Sequence, residues 1–254
     1  MAINDSMALL EVCCGTLESA QNALAGGAGR IELCAALDEG GLTPSYGLMH
    51  AVAHLKGIGK HVLIRPRGGD FLYSEAEVNL MLEDIALVRR LGLDGVVVGA
   101  LLPDGDIDVP TMRRLMAAAG GLSVTFHRAF DLCRDKGAAL ERLVELGVNR
   151  VLTSGGAPTA WAGRDTLRHL VEQAAGRIGI LPGAGVTSEN AADILRATGA
   201  CEIHASLRVP LRSKMRYQQQ GVTMGAADRD EFERKETSTE KVEALLKEIS
   251  SIAW

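Results

Sequence analysis

The chain has 254 residues, 47% hydrophobic and 23% charged, with a formal net charge of -5. This is long enough for one large core, and acidic and basic residues are too evenly mixed for the clustered basic stripe of a nucleic-acid surface. No apolar run reaches the roughly 20 residues needed to cross a bilayer. Aromatics make up only 4% of the chain, so the core is expected to be built from Val, Leu, Ile and Ala.

Short apolar, β-branched runs predict eight strands, around Leu9–Val12, Arg30–Leu33, His61–Ile64, Gly95–Val98, Leu122–Phe126, Arg150–Leu152, Ile178–Leu181 and Glu202–Ala205. Between them lie segments with helical apolar spacing, such as Val78, Leu82, Ile85, Val88 and Leu91. Strands alternating with helices imply parallel βαβ units. Glycine closes each helical segment ahead of the next strand, as its freedom to adopt the left-handed conformation allows. Helix starts are predicted at Thr43-Pro44, at Ser74 with Glu77 as a capping box, and at Ser188. A doubly wound sheet would satisfy the same alternation, but no strand reads as a polar edge and no glycine turn forms G-x-G-x-x-G. The predicted fold is therefore a single (β/α)8 TIM-type barrel over 1–254. A long loop at 208–239 precedes a final helix carrying Val242, Leu245, Leu246 and Ile249. The leader Met1–Met7 is too short and lacks the regions of a signal peptide. The five cysteines (Cys13, Cys14, Cys34, Cys133 and Cys201) have no disulfide-framework spacing, which fits a reducing cytoplasm.

Function in such a barrel sits where strands end, and polar residues concentrate there. Glu11 and Cys13 share one face of the first strand, as Glu32 and Cys34 share one face of the second. Two thiolates on adjacent strands can converge on one soft ion such as Cu(I), although buried free cysteine also serves as a small hydrophobe. Arg65, Arg67 and Arg128 follow the third and fifth strands and suit carboxylate or phosphate. The turn at Gly183 and Gly185 offers backbone N–H groups to an anion. Glu11, Glu32, His127 and His204 are candidates for general acid or base work. The blander alternative pairs Glu11 and Glu32 with Arg65 or Arg67 in a buried ion network without catalysis. A scaffold that has lost its chemistry remains a third class. Cys14, Cys133 and Cys201 point away from the mouth, His50, His54 and His169 sit on helices, and His61 begins a strand at the bottom of the barrel.

The segments EVCC (Glu11–Cys14), RIELCAAL (Arg30–Leu37), EGGLTPS (Glu39–Ser45), IRPRGGDFLYS (Ile64–Ser74), TFHRAFD (Thr125–Asp131), RVLTSGG (Arg150–Gly156) and PGAGV (Pro182–Val186) resemble, in order, the signatures of the copper homeostasis protein CutC family. MRYQQQGVTMG (Met215–Gly225) resembles its C-terminal loop. The resemblance implies a TIM barrel, cytoplasmic location and a homo-oligomer (dimer or tetramer) with Arg208–Gly225 at the interface or over the mouth. It also implies a link to copper, carried by Cys13 and Cys34. The expected partner is thus a copper ion or, on the enzyme reading, a small anionic molecule.

Overall fold

A computed structural model describes residues 8–219, 221–222, 224 and 230–252. The leader Met1–Met7 and parts of the Met215–Gly225 match lie outside the described residues. Eight parallel strands alternate with helices: β1 (Leu9–Cys14), α1 (Leu17–Ala25), β2 (Arg30–Leu33), α2 (Tyr46–Ala53), β3 (Gly59–Leu63), α3 (Glu75–Arg90), β4 (Gly95–Val98), α4 (Val109–Ala119), β5 (Ser123–Phe126), α5 (Lys136–Glu145), β6 (Arg150–Thr153), α6 (Arg164–Ala174), β7 (Gly179–Pro182), α7 (Ala191–Thr198) and β8 (Glu202–Ala205). The ladder runs β7-β6-β5-β4-β3-β2-β1-β8, and β7 packs beside β8 to close the circle. This is the expected (β/α)8 barrel. Each of the seven helix-to-strand junctions carries a left-handed glycine, such as Gly92 and Gly199.

Strand alternation divides the side chains into two sets. Leu10, Val12 and Cys14 of β1 face outward and join one large apolar cluster with Ile31, Val62, Val96 and the inner faces of the helices. The inward set is different. Cys13, Cys34, Leu63 and Val97 form a small cluster of their own. Below it the barrel buries Glu11, Arg30 and His61. The core is built from Val, Leu, Ile and Ala as expected, but it lies between strands and helices, and the lumen is largely polar. His61 lies in the middle of β3 rather than at its start.

Two predicted helix starts shift. The Ser74–Glu77 capping box is present. The second helix, however, starts at Tyr46 with Ser45 as its cap. Thr43 is otherwise engaged: its hydroxyl accepts the Arg65 N–H at 2.9 Å, tying the loop before α2 to the end of β3. Ser188 caps nothing, because α7 begins only at Ala191, after a turn in which Asn190 accepts the Thr187 N–H.

The stretch 208–239 contains two strands and is not one long loop. β9 (Arg208–Arg212) pairs antiparallel with β10 (Glu233–Thr237), and α8 (Thr239–Ser250) follows. β10 shows no apolar alternation and β9 only the short one of Val209 and Leu211 about Pro210, a proline tolerated because the pair is all edge. What anchors the hairpin is polar. Buried Glu236 accepts hydrogen bonds from Thr16 Oγ1 at 2.5 Å and Ser19 Oγ at 2.6 Å, at the N-terminus of α1, where a carboxylate is favoured. Replacing Glu236 with Ala should lower stability by about 2–3 kcal/mol, since two hydroxyls lose a charged acceptor in a buried place. Chemical denaturation checks this, and an unchanged midpoint would remove Glu236 as the anchor.

Candidate functional site

A cavity of about 420 Å³ opens at the C-terminal ends of the strands. Cys13, Glu32, Arg65, His127 and His204 line it, with the turn Ala184–Thr187 after β7 on the far wall. Cys13 and Cys34 bring their sulfurs to 3.9 Å. The two are not at matching positions. The β1–β2 register pairs Cys13 with Glu32, so Cys34 lies further along, and the strand stagger of a closed barrel lets the side chains meet. A Glu32 carboxylate oxygen joins the sulfurs, all three ligand atoms falling within 4.8 Å of one another.

Beneath this cluster a line of charges runs down the lumen. Arg150 Nε lies 3.1 Å from Glu202, and Arg30 Nη2 lies 2.5 Å from the same carboxylate. Arg30 Nε also contacts Glu11, which is fully buried. The other Glu11 oxygen accepts from His204 Nδ1 at 2.8 Å, and His204 Nε2 lies 3.8 Å from Glu32.

The protonation states follow from these contacts. Burial opposes ionisation of Glu11, but Arg30 and His204 outweigh it and hold the carboxyl well below its usual range. Burial likewise opposes a charged His204, and its hydrogen bonds to Cys13 and Glu11 push its pKa well up. The Cys13 thiol is brought down to about 5, first by the hydrogen bond from Cys34 and, against burial, by His204. The same bond raises Cys34, which keeps its proton. Burial and the Cys13 charge raise Glu32 to about 8. These contacts favour the ionised forms of Glu11, His204 and Cys13 and the protonated forms of Cys34 and Glu32.

The CutC family model matches residues 8–209. This chain belongs to the CutC family. It is 50% identical to the family protein CutC of Bacteroides thetaiotaomicron over 95% of this chain and 98% of that protein. It is also 50% identical to that of Chromobacterium violaceum, over 93% and 96%. The crystal structure of CutC from Streptococcus agalactiae, a protein named for copper homeostasis, superposes with a TM-score of 0.75 at 37% identity, over 78% of this chain and 98% of that one.

Of the residues singled out from sequence in this CutC family member, Cys13, Glu32, His127, His204, Arg65 and Gly185 reach the cavity, and Cys34 meets Cys13 at its floor. Glu11 sits one layer below and acts through His204. The expected pairing of Glu11 and Glu32 with Arg65 or Arg67 is wrong, because Arg30 takes Glu11 from the adjacent strand. Arg65 instead donates to the carbonyls of Glu39, Gly41 and Gly69. β3 ends at Leu63, so strand alternation does not relate Arg67 to Arg65. Arg67 pairs on the surface with Glu77 at 2.6 Å and Asp70 at 3.0 Å, away from any anion site in the lumen. Arg128 borders the cavity but is held by Asp131 at 2.8 Å and Ser154 at 3.2 Å. Gly183 does not offer its N–H, which donates to Thr153 O. Its lack of a side chain serves packing, since a Cβ there would stand 2.6 Å from Leu152. Cys14 and Cys133 lie in the outer core, and burial lifts Cys133 to about 12. Cys201, His50, His54 and His169 are exposed.

Arg30, Arg150 and Glu202 escaped the sequence reading as site residues. Strand parity carries the signal: Arg30 shares a face with Glu32, and Glu202 with His204. Arg30→Met should cost about 3–5 kcal/mol in a chemical melt, because it strands the buried Glu11 charge; a loss typical of surface changes would contradict the network. The folded-state pKa of Glu11 is depressed, so its contribution is complete above the unfolded value of about 4.3 and is lost as pH falls below it. Acid titration of stability should accordingly be shallower in Glu11→Gln than in the parent protein below about pH 4.3.

Proposed function

We propose that this CutC family member binds Cu(I) through Cys13 and Cys34, with Glu32 as a third donor, and handles copper in the cytoplasm. The observation that carries the reading is the thiol pair with its sulfurs 3.9 Å apart and a carboxylate beside them. Two metal–thiolate bonds of about 2.3 Å across that gap enclose an angle of about 115°, near that of a trigonal site. Soft sulfur ligands favour Cu(I), and two thiolates with one carboxylate fall short of the four-ligand set of structural zinc. His204 favours the thiolate form of Cys13. Metal entry requires both Cys34 and Glu32 to release their protons, so uptake of the ion is coupled to proton release.

Free, closely spaced thiols suit a reducing compartment, which supports the cytoplasmic location. Among the described residues no helix is long and apolar enough to cross a membrane. The same proposal includes one domain spanning the barrel and its β9–β10 hairpin, and assembly into a dimer or tetramer. Exposed Met215, Tyr217 and Val222 in the segment between the hairpin strands support self-association.

The test is a competition titration against a Cu(I) chelator under anaerobic, reducing conditions. Cys13→Ser and Cys34→Ser should lose binding while Cys14→Ser retains it, because Cys14 faces the outer core. Equal affinity in all three variants and the parent would end the assignment. Light scattering checks the assembly, and a monomer at every working concentration would contradict it.

A further inference from the structure

We propose that the cavity contains a second subsite, an oxyanion pocket made by Arg65 and His127 that takes the carboxylate of a small organic acid. The reading stands on donors that have nothing to donate to. Arg65 is 6% exposed, and its Nη1 and Nη2 atoms give hydrogen bonds to three backbone carbonyls. Its Nε is buried and has no partner. Among the described residues no carboxylate lies within ion-pair distance of this guanidinium, so it is a buried cation without a counter-charge. A buried charge is costly unless it is both hydrogen-bonded and paired, and the three carbonyls meet only the first need of Arg65.

His127 is the second unmatched donor. It is 5% exposed, and its Nδ1 accepts the Ala129 N–H at 3.2 Å. Burial, with the charge of Arg65, brings its pKa down to about 3. The ring is thus neutral, its one proton sits on Nε2, and that buried N–H meets no acceptor. Both residues line the same cavity. Phe71 buttresses the two: the Arg65 guanidinium lies 5.0 Å from its ring centroid and the His127 ring 4.8 Å. The count is two donors without a hydrogen-bond partner and a guanidinium with no carboxylate beside it; the neighbouring Tyr73 hydroxyl, itself unpartnered, is neutral and brings no counter-charge.

A carboxylate supplies what is missing. It brings one negative charge and two oxygens, one for each N–H. A phosphate dianion would bring a second negative charge, and His204, a further cation at the cavity, is already paired with Glu11. Leu37, Leu63 and Leu152 on the wall receive the carbon chain, and Cys13, Glu32 and His204 face its far end. Arg67 and Arg128 add nothing, since both are already paired with acidic side chains. The subsite does not depend on copper, because neither donor belongs to the thiol cluster.

The test uses the full-length, metal-free protein, titrated by calorimetry with a series of short monocarboxylates and, in parallel, with inorganic phosphate. A monocarboxylate should bind at one site. His127→Asn keeps an oxygen acceptor for the Ala129 amide but removes the Nε2 donor, and should weaken binding about tenfold or more. Because the protein titrated is metal-free, binding of the acid reports on this subsite alone, which separates it from the copper reading. If His127→Asn fails to fold, the His127 Nε2–H resonance of the ¹⁵N-labelled parent protein should shift on adding the acid. The proposal is overturned if no monocarboxylate binds at concentrations on the order of 100 mM. It is also overturned by equal affinity in His127→Asn, by an unmoved Nε2–H resonance, or by a preference for phosphate over every carboxylate.

Discussion

Everything at the barrel mouth depends on one buried carboxylate. Glu11 has no access to water, and its charge persists only because Arg30 and His204 hold both oxygens. Such a charge is expensive in a low-dielectric interior unless both its charge and its hydrogen-bonding capacity are met. Meeting them has consequences above and below. Below, Arg30 shares Glu202 with Arg150, which extends the compensation to the foot of the lumen. Above, His204 is kept as an imidazolium, and that positive charge faces Cys13 and Glu32.

The barrel makes this possible through parity and stagger. Glu11, Arg30, Glu32, Glu202 and His204 come from only three strands, β8, β1 and β2, which are neighbours in the sheet. Alternate residues of each face the lumen, so charge of opposite sign is stacked in successive layers on one side of the barrel. The opposite wall is lighter: β4 presents Gly95 and is followed by Gly99, and the rings of His61 and His127 pack against these two glycines. A Cβ at Gly99 would stand 2.4 Å from the His127 ring, so the glycine is what lets that ring lie in the lumen. The lumen thereby becomes a cavity with an anionic thiol floor and a cationic Arg65 wall, two environments separated by side chains of moderate size.

Much of the fold was legible because it is written in periodicity. Eight short β-branched runs and seven glycine junctions are local signals, and the structure places strands within a residue or two of every expected position. The hairpin β9–β10 was not legible, since its anchor is the long-range contact of Glu236 with Thr16 and Ser19 and not an apolar pattern. The site was legible in its members and not in its partnerships. Glu11, Cys13, Cys34 and His204 are evident from strand parity and resemblance. The partner of Glu11 was misjudged because arginines near strand ends drew attention, while Arg30, at the start of β2, lies opposite Glu11 in the parallel register. Register is a tertiary quantity, and no single strand reveals it. Arg67 shows the complementary failure: it follows the third strand in sequence, but β3 ends at Leu63 and Arg67 turns to Glu77 and Asp70 on the surface.

The central claim is that the Glu11–His204 pair helps keep Cys13 a thiolate in the metal-free protein. The most direct measurement is the ultraviolet thiolate absorbance as a function of pH, in the parent protein and in His204→Gln. In the parent, one thiolate should titrate near 5, with Cys13→Ser abolishing the signal. In His204→Gln the midpoint should move up toward the ordinary thiol value of about 8.5. A parent midpoint already at that ordinary value, or a low midpoint unmoved by His204→Gln, would contradict the account.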